Sequence, residues 1–210
     1  RGSLGTLIGT FLLGLGAAIP AVAIVLLASW VSLRSAWLAA AVAAFLITAI
    51  PEELLKLAVL LGYSARRPSF AGPSDGLVYG IAVALGFGAL ENALYIAQGG
   101  WATAILRAVT AVPMNAATGA VLGYAVARSR GGRSRRSSVL RGLAIACLLH
   151  GTYDFALIAA ALELEGGRSS GVVIFPILAC VVLVGSVGWV VRTAYRLRRG
   201  ESASAPRKTT

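Results

Sequence analysis

The sequence predicts an all-α fold: a polytopic membrane bundle of about six transmembrane helices with both termini on the cytoplasmic side. Three observations carry that prediction. Of 210 residues, 58% are hydrophobic and only 13% charged, with a mean hydropathy of +0.82. Soluble domains carry about 25% charged residues, so this chain has too little polar surface to stay dissolved. The apolar residues come in long continuous runs, whereas the strands of a membrane β-barrel need alternation over about 10 residues. The basic residues gather between alternate runs, as they do in polytopic helical proteins. Disorder and coiled coil are excluded by the same composition.

A helix crosses about 30 Å of hydrocarbon with about 20 residues. Helices are also the remaining way to satisfy the backbone in lipid. Six segments qualify, near Thr6–Leu33, Ala36–Leu61, Asp75–Ala97, Trp101–Ala127, Val139–Leu162 and Val172–Leu197. Arg66 and Arg67 precede the third. The loop Arg128-Ser-Arg-Gly-Gly-Arg-Ser-Arg-Arg carries five arginines, and the tail has Arg192, Arg196, Arg198, Arg199, Arg207 and Lys208. The other side has only Arg34 and Arg168. The positive-inside rule places the three basic regions in the cytoplasm. The net charge of +11 thus reflects topology and contact with anionic lipid, and no nucleic-acid partner is expected. The first apolar run is too long for the core of a cleavable signal peptide. Residues 1–200 read as one transmembrane unit and 201–210 as a disordered basic cytoplasmic tail.

Gly76/Gly80 and Gly119/Gly123 are Gly-x-x-x-Gly pairs that allow helices to approach closely. Pro20, Pro51, Pro113 and Pro176 fall inside spans and are expected to kink them. Cys147 and Cys180 lie in apolar runs and read as small buried side chains.

The eight acids show where chemistry could lie. Glu163, Glu165 and Glu201 fall in a loop or the tail, and Asp75 begins a helix, where a negative charge suits the dipole. The other four lie inside spans. Glu52 and Glu53 are in the second with Lys56, and Glu91 is in the third with Asn92. Asp154 is in the fifth with His150, the only histidine. Arg107 and Asn115 are in the fourth. An intramembrane charge costs a few kcal/mol unless a partner or water relieves it, so these groups are expected to face one another around a wet cavity. Glu52 and Lys56, His150 and Asp154, and Phe87 and Glu91 are each four residues apart, on one helix face. Adjacent Glu52 and Glu53 diverge by about 100° and are expected to have different roles. Arg107 is expected to snorkel or to pair with Glu91.

Two carboxylates and a histidine in a desolvated site suit general acid–base work on water. A glutamate could deprotonate water as it attacks an amide carbonyl, with His150 and Asn115 donating to the oxyanion. No Ser or Cys stands in a nucleophile context. No cofactor is favoured. Zinc is the alternative, although it prefers several His and Cys ligands, and His150 would have to be joined by carboxylates.

Glu52-Glu53-Leu-Leu-Lys56 resembles the E-E-x-x-K motif of the PrsW intramembrane proteases. Asp75-Gly-Leu-Val-Tyr-Gly80 with Gly86-Phe87-Gly-Ala-Leu-Glu91-Asn92 resembles that family's second block, and His150-Gly-Thr-Tyr-Asp154 its H-x-x-x-D motif. The resemblance covers residues 51–155, and its specificity lies in the combination. It implies a glutamic-type intramembrane protease, similar to the CAAX prenyl endopeptidases and bacteriocin-processing membrane proteases. The substrate would be a membrane protein and the location the bacterial cytoplasmic membrane. The family's namesake cuts a membrane-bound anti-sigma factor, so regulated intramembrane proteolysis is the kind of process implied. By position, Glu52 or Glu53 would activate water, Glu91 would help hold it, and His150 and Asp154 would stabilise and protonate. Lys56, Asn92 and Arg107 would support them. One position departs: the family block in the fourth span usually has a histidine where this chain has Asn115, which weakens a metal mechanism. The competing readings are an inactive scaffold or chaperone of the same fold, a metal-dependent protease, and a proton-coupled transporter, for which the chain shows no inverted repeat.

Overall fold

The computed structural model describes residues 3–28, 30, 33–131, 135–167 and 169–204, and these form helices joined by short turns. Helix α1 spans Leu4–Ala28. The second crossing is composite: α2 (Ala36–Ala41), a π-helical stretch (Val42–Ala49) and α3 (Ile50–Gly62). Then come α4 (Pro73–Val109), α5 (Ala111–Arg128), α6 (Arg135–Glu165) and α7 (Ser169–Ser204). Arg133, Arg168, Arg207 and Lys208, read above for topology, lie outside the described residues, as does the tail beyond Ser204.

Four of the single helices or composite crossings, together with α4, are long and apolar enough to span a membrane. Their outward faces carry Leu12, Leu26, Leu148 and Val184, all more than half exposed. That belt suits hydrocarbon rather than water. Helix α5, of only eighteen residues, is not among these spans. It needs no lipid-facing surface, because neighbours bury most of its length.

The glycine pairs act as expected. α4 crosses α5 antiparallel, with Gly80 against Gly119 and Gly76 against Gly123. A Cβ on Gly80 would lie 2.0 Å from the Gly119 carbonyl oxygen, and one on Gly123 would lie 1.9 Å from that of Gly76. α1 meets the other side of α4 in the same way, Gly14 at Val83 and Gly86 at Phe11. Close backbone approach replaces side-chain interlocking, as packing in lipid favours.

The second crossing winds wide just before Pro51. Proline has no N–H, and its ring clashes with the carbonyl four residues back. The preceding turns take the π form, often found at functional sites. Gly151 of α6 packs on this stretch, where a Cβ would fall 2.3 Å from the Phe45 ring. The α4 start is capped as its acid suggested: Asp75 Oδ2 accepts the Ala71 and Gly72 N–H groups at 3.0 and 3.1 Å.

Two expectations need correcting. Trp101–Ala127 is not one span. The chain doubles back at Gly100 (φ +65°, ψ −160°), in the gap the sequence left between its third and fourth spans, so that Trp101–Val109, the last part of α4, forms a short arm beside the residues before Gly100. A second break at Thr110 starts α5. The reversal is recorded by Arg107, which reaches Asn92 and Glu91. Sixteen residues of straight helix would separate Glu91 from Arg107 by about 24 Å. Cys180 is exposed and Cys147 half-buried. An apolar run predicts burial in a soluble core, whereas here apolar side chains also face outward.

The arginine-bearing turns meet at one end of the bundle. Arg130 donates to the carbonyls of Phe70 and Ala65 and lies over the Phe70 ring. Replacing Gly80 with Leu should break the α4–α5 crossing, since overpacking alone costs about 1–3 kcal/mol and here the obstacle is backbone. Thermal unfolding in detergent should show a large loss of stability, whereas Gly185→Leu, where no atom lies within 4 Å, should be nearly neutral.

Candidate active site

Each span predicted to carry polar groups delivers them to one cluster. α3 begins at the π-helical stretch and contributes Glu52, Glu53 and Lys56, all buried. Lys56 has no exposed surface, and its Nζ lies 2.8 Å from Glu53 Oε1, 2.7 Å from Asn115 Oδ1 and 3.6 Å from Glu52 Oε2. The Phe87 ring of α4 lies beneath it, 4.7 Å from the ammonium, a further electrostatic attraction. The sequence paired Lys56 with Glu52. The closer partner is Glu53, three residues away on the same face.

Glu53 Oε1 is heavily engaged. Besides Lys56 it meets His150 Nδ1 at 2.8 Å and accepts from Thr118 Oγ1 at 3.2 Å. The Oε2 atoms of both glutamates accept no hydrogen bond from the described residues; Glu52 differs in making only longer ion pairs, its Oε2 lying 3.6 Å from Lys56 Nζ and 3.9 Å from His150 Nε2. That Nε2 is also 3.3 Å from Asp154 Oδ2, the four-residue pair expected on α6. The adjacent glutamates therefore have different surroundings, as their divergence on the helix suggested.

Asn115 bridges two parts of the cluster. Its Oδ1 accepts from Lys56, and its Nδ2 donates to Glu91 Oε2 at 3.4 Å. Gly88 on α4 lies against this amide. Glu91 pairs with Arg107 Nη2 at 3.4 Å, and Arg107 Nε donates to Asn92 Oδ1 at 2.5 Å. The guanidinium also stacks 4.0 Å from the Tyr95 ring. All nine residues singled out in the sequence thus fall in one connected network. Thr118 and Phe87's contact with Lys56 were missed, because both arise from packing between helices distant in sequence.

A cavity of about 410 Å³ opens beside the cluster. His150, Asp154, Asn115, Glu91 and Arg107 form its polar side, and Met114, Leu106, Leu157 and Ile158 its apolar side. Thr48, one helical turn before Glu52, also lines it. Tyr95 and Tyr153 contribute to the wall as well.

Fold and site together define a polytopic helical membrane protein that encloses a carboxylate–histidine cluster beside a cavity. The chain belongs to the PrsW family: a family model described as "PrsW family intramembrane metalloprotease" matches residues 2–185. It is 36% identical over 117 residues to a protein named Protease PrsW from Bacillus subtilis, covering 55% of this chain and 54% of that one. Identity is 35% over 115 residues to the Protease PrsW of Shouchella clausii, covering 54% of each chain. For that of Oceanobacillus iheyensis it is 29% over 157 residues, covering 74% of this chain and 66% of that one. The chain spans about half the length of the first two relatives. No solved structure matches it significantly.

The family description raises a metal. Among the described residues no group of three or more His, Cys, Asp or Glu is arranged to hold one. The position where Glu52, Glu53 and Asn115 converge is taken by the Lys56 ammonium, a positive charge that repels a dication. One imidazole, with Nδ1 committed to Glu53, is a poor donor set for zinc. As arranged, these residues do not fit the ion.

Removing one partner of a buried ion pair costs about 3–5 kcal/mol, because the other charge is left unpaired. Lys56→Met should therefore destabilise the chain strongly. Adding Glu53→Gln to that variant should restore part of the loss, as a double-mutant cycle on thermal unfolding would show. Additive losses would mean that the pair is not coupled.

Proposed function

We propose that the chain is an intramembrane endopeptidase that hydrolyses a peptide bond in or near a membrane segment of a protein substrate, with Glu52 activating the attacking water. The supporting observation is the contrast between the adjacent carboxylates. Glu53 is held through Oε1 by Lys56, His150 and Thr118 and its side chain has no exposed surface, whereas Glu52 makes only longer ion pairs, 3.6 Å from Lys56 and 3.9 Å from His150, and keeps 5% of its side chain exposed. A general base needs an available lone pair within reach of its water.

In this reading Glu52 takes a proton from water while the water oxygen bonds to the scissile carbonyl carbon. Lys56 fixes Asn115 Oδ1, so the amide N–H groups face Glu91 and the cavity and can donate to the developing oxyanion. His150 lies between Glu53 and Asp154. The charged imidazole donates to both carboxylates, and on giving up its Nε2 proton it still donates from Nδ1 to Glu53. As the C–N bond breaks, His150 gives a proton to the departing nitrogen, and the proton on Glu52 restores the imidazole. Asp154 orients the ring. No metal enters this scheme, consistent with the poor fit of the donor set.

The orientation proposed is that of the positive-inside rule, with the arginine-bearing end and both termini in the cytoplasm of a bacterial cell. The cavity then runs from His150 toward the outer half of the membrane, because its α6 lining residues all lie on that side. Regulated proteolysis of a membrane-bound signalling protein is the process such a site would serve.

The test is cleavage by the purified chain in detergent or lipid discs. Glu52→Gln should reduce turnover by about 10²–10⁴-fold, the usual contribution of a general base, with the unfolding temperature little changed. His150→Ala should also abolish cleavage. Activity should survive a zinc chelator. Full activity in both variants would overturn the assignment, and chelator sensitivity reversed by added zinc would favour the metal-dependent reading.

A further inference from the structure

Beyond the charged cluster, one cavity wall is a stripe on a single helix. His150, Asp154, Leu157, Ile158 and Ala161 all line it, and steps of three and four residues keep them on one face of α6. The facing wall is the folded-back arm and the turn after it, through Thr103, Leu106, Arg107 and Thr110. Leu157 and Leu106 are both exposed, so the slot opens sideways, where a membrane segment would approach.

The chemistry sets the conformation of an occupant, because a carbonyl that water attacks must be free of its helical N–H···O=C bond. From His150 to Ala161 α6 rises about 16 Å. An extended chain advances about 3.3 Å per residue, so about five residues span the stripe. Their side chains alternate, which directs the first, third and fifth toward α6. Counted from His150, the third falls near 10 Å and the fifth near 16 Å. Leu157 and Ile158 stand at about 10–12 Å and Ala161 at about 16 Å.

We propose that the substrate segment occupies this slot unwound, as about five extended residues on one side of the scissile bond, and that α6 selects its side chains. Leu157 and Ile158 form an apolar subsite for the third residue from the cut. Ala161, with only a methyl group, leaves room for a large fifth residue. Arg107 and Thr110 on the opposite wall offer polar partners to the exposed backbone of the unwound chain. The proposal rests on the endopeptidase reading.

The experiment incubates the full chain with detergent-solubilised bacterial membrane proteins and maps new chain ends by mass spectrometry, with Glu52→Gln as background. The wild type should show apolar residues at the third position and tolerate large ones at the fifth, counted on one side of the cut. Ile158→Ala should broaden the third position. Ala161→Phe should reduce cutting at sites with a large fifth residue about tenfold, in the range set by steric changes in apolar pockets, and spare sites with a small one. Ala161→Leu provides a milder variant should the phenylalanine impair folding. Preferences unmoved in the folded variants, with cutting retained, would overturn the subsites and leave the endopeptidase reading standing. No cut above the Glu52→Gln background would overturn both.

Discussion

A fully buried lysine ammonium is the constraint around which the rest of the bundle is arranged. In a low-dielectric interior an uncompensated charge costs several kcal/mol, and hydrocarbon offers no water to relieve it. Lys56 is met by Glu53 from its own helix, Asn115 from α5 and the Phe87 ring from α4. His150 of α6 joins through the shared oxygen of Glu53. Three further helices must therefore stand at fixed distances from α3. Glycine makes those distances possible. The Gly80–Gly119 crossing brings α4 and α5 together, and Gly151 lets α6 close on the wide turn before Pro51.

The cluster works as a unit rather than as pairs. From the arm inward the order is Arg107, Glu91, Asn115, Lys56, Glu53, His150 and Asp154, each within 3.4 Å of the next. Glu52 stands at the side, near both Lys56 and His150. Four carboxyl groups share two permanent cations and one imidazole. Such a network is expected to be non-additive, because removing one member leaves its neighbours unsatisfied. It also explains how two adjacent glutamates can differ. Position on the helix brings Glu53 into hydrogen-bond contact with the lysine and the histidine together, and leaves Glu52 at longer range from both.

Much of this was legible in the sequence, and the parts that were not have a common cause. Composition and run length gave an all-α membrane bundle, because lipid imposes backbone satisfaction on every span. Four-residue spacings gave the His150–Asp154 pair, and the cost of intramembrane charge brought the acids together. What escaped were features fixed by packing between distant segments: Thr118 on Glu53, Phe87 under Lys56, and the choice of Glu53 over Glu52 as the closer partner. The turn at Gly100 falls in the gap left between the third and fourth apolar runs, but hydropathy gives no sign of the second break at Thr110, which turns one expected span into an arm and a separate helix. Cys180 was misread because the soluble rule, apolar therefore buried, has no force where lipid is the solvent.

Helix α5 carries that last point into function. It is the least conspicuous span by hydropathy, yet the best enclosed, with Met114, Asn115, Thr118 and Leu122 all buried. In water, burying a helix requires an apolar surface, because expulsion of that surface drives packing. In lipid that drive between helices is absent, so a central helix can be rich in small and polar residues. The outer helices supply the apolar surface, and the middle is left available for an amide, a hydroxyl and close backbone contacts. A site that handles water within a membrane needs such an interior. Its polar groups are held by one another, and the same close packing that holds them keeps lipid out.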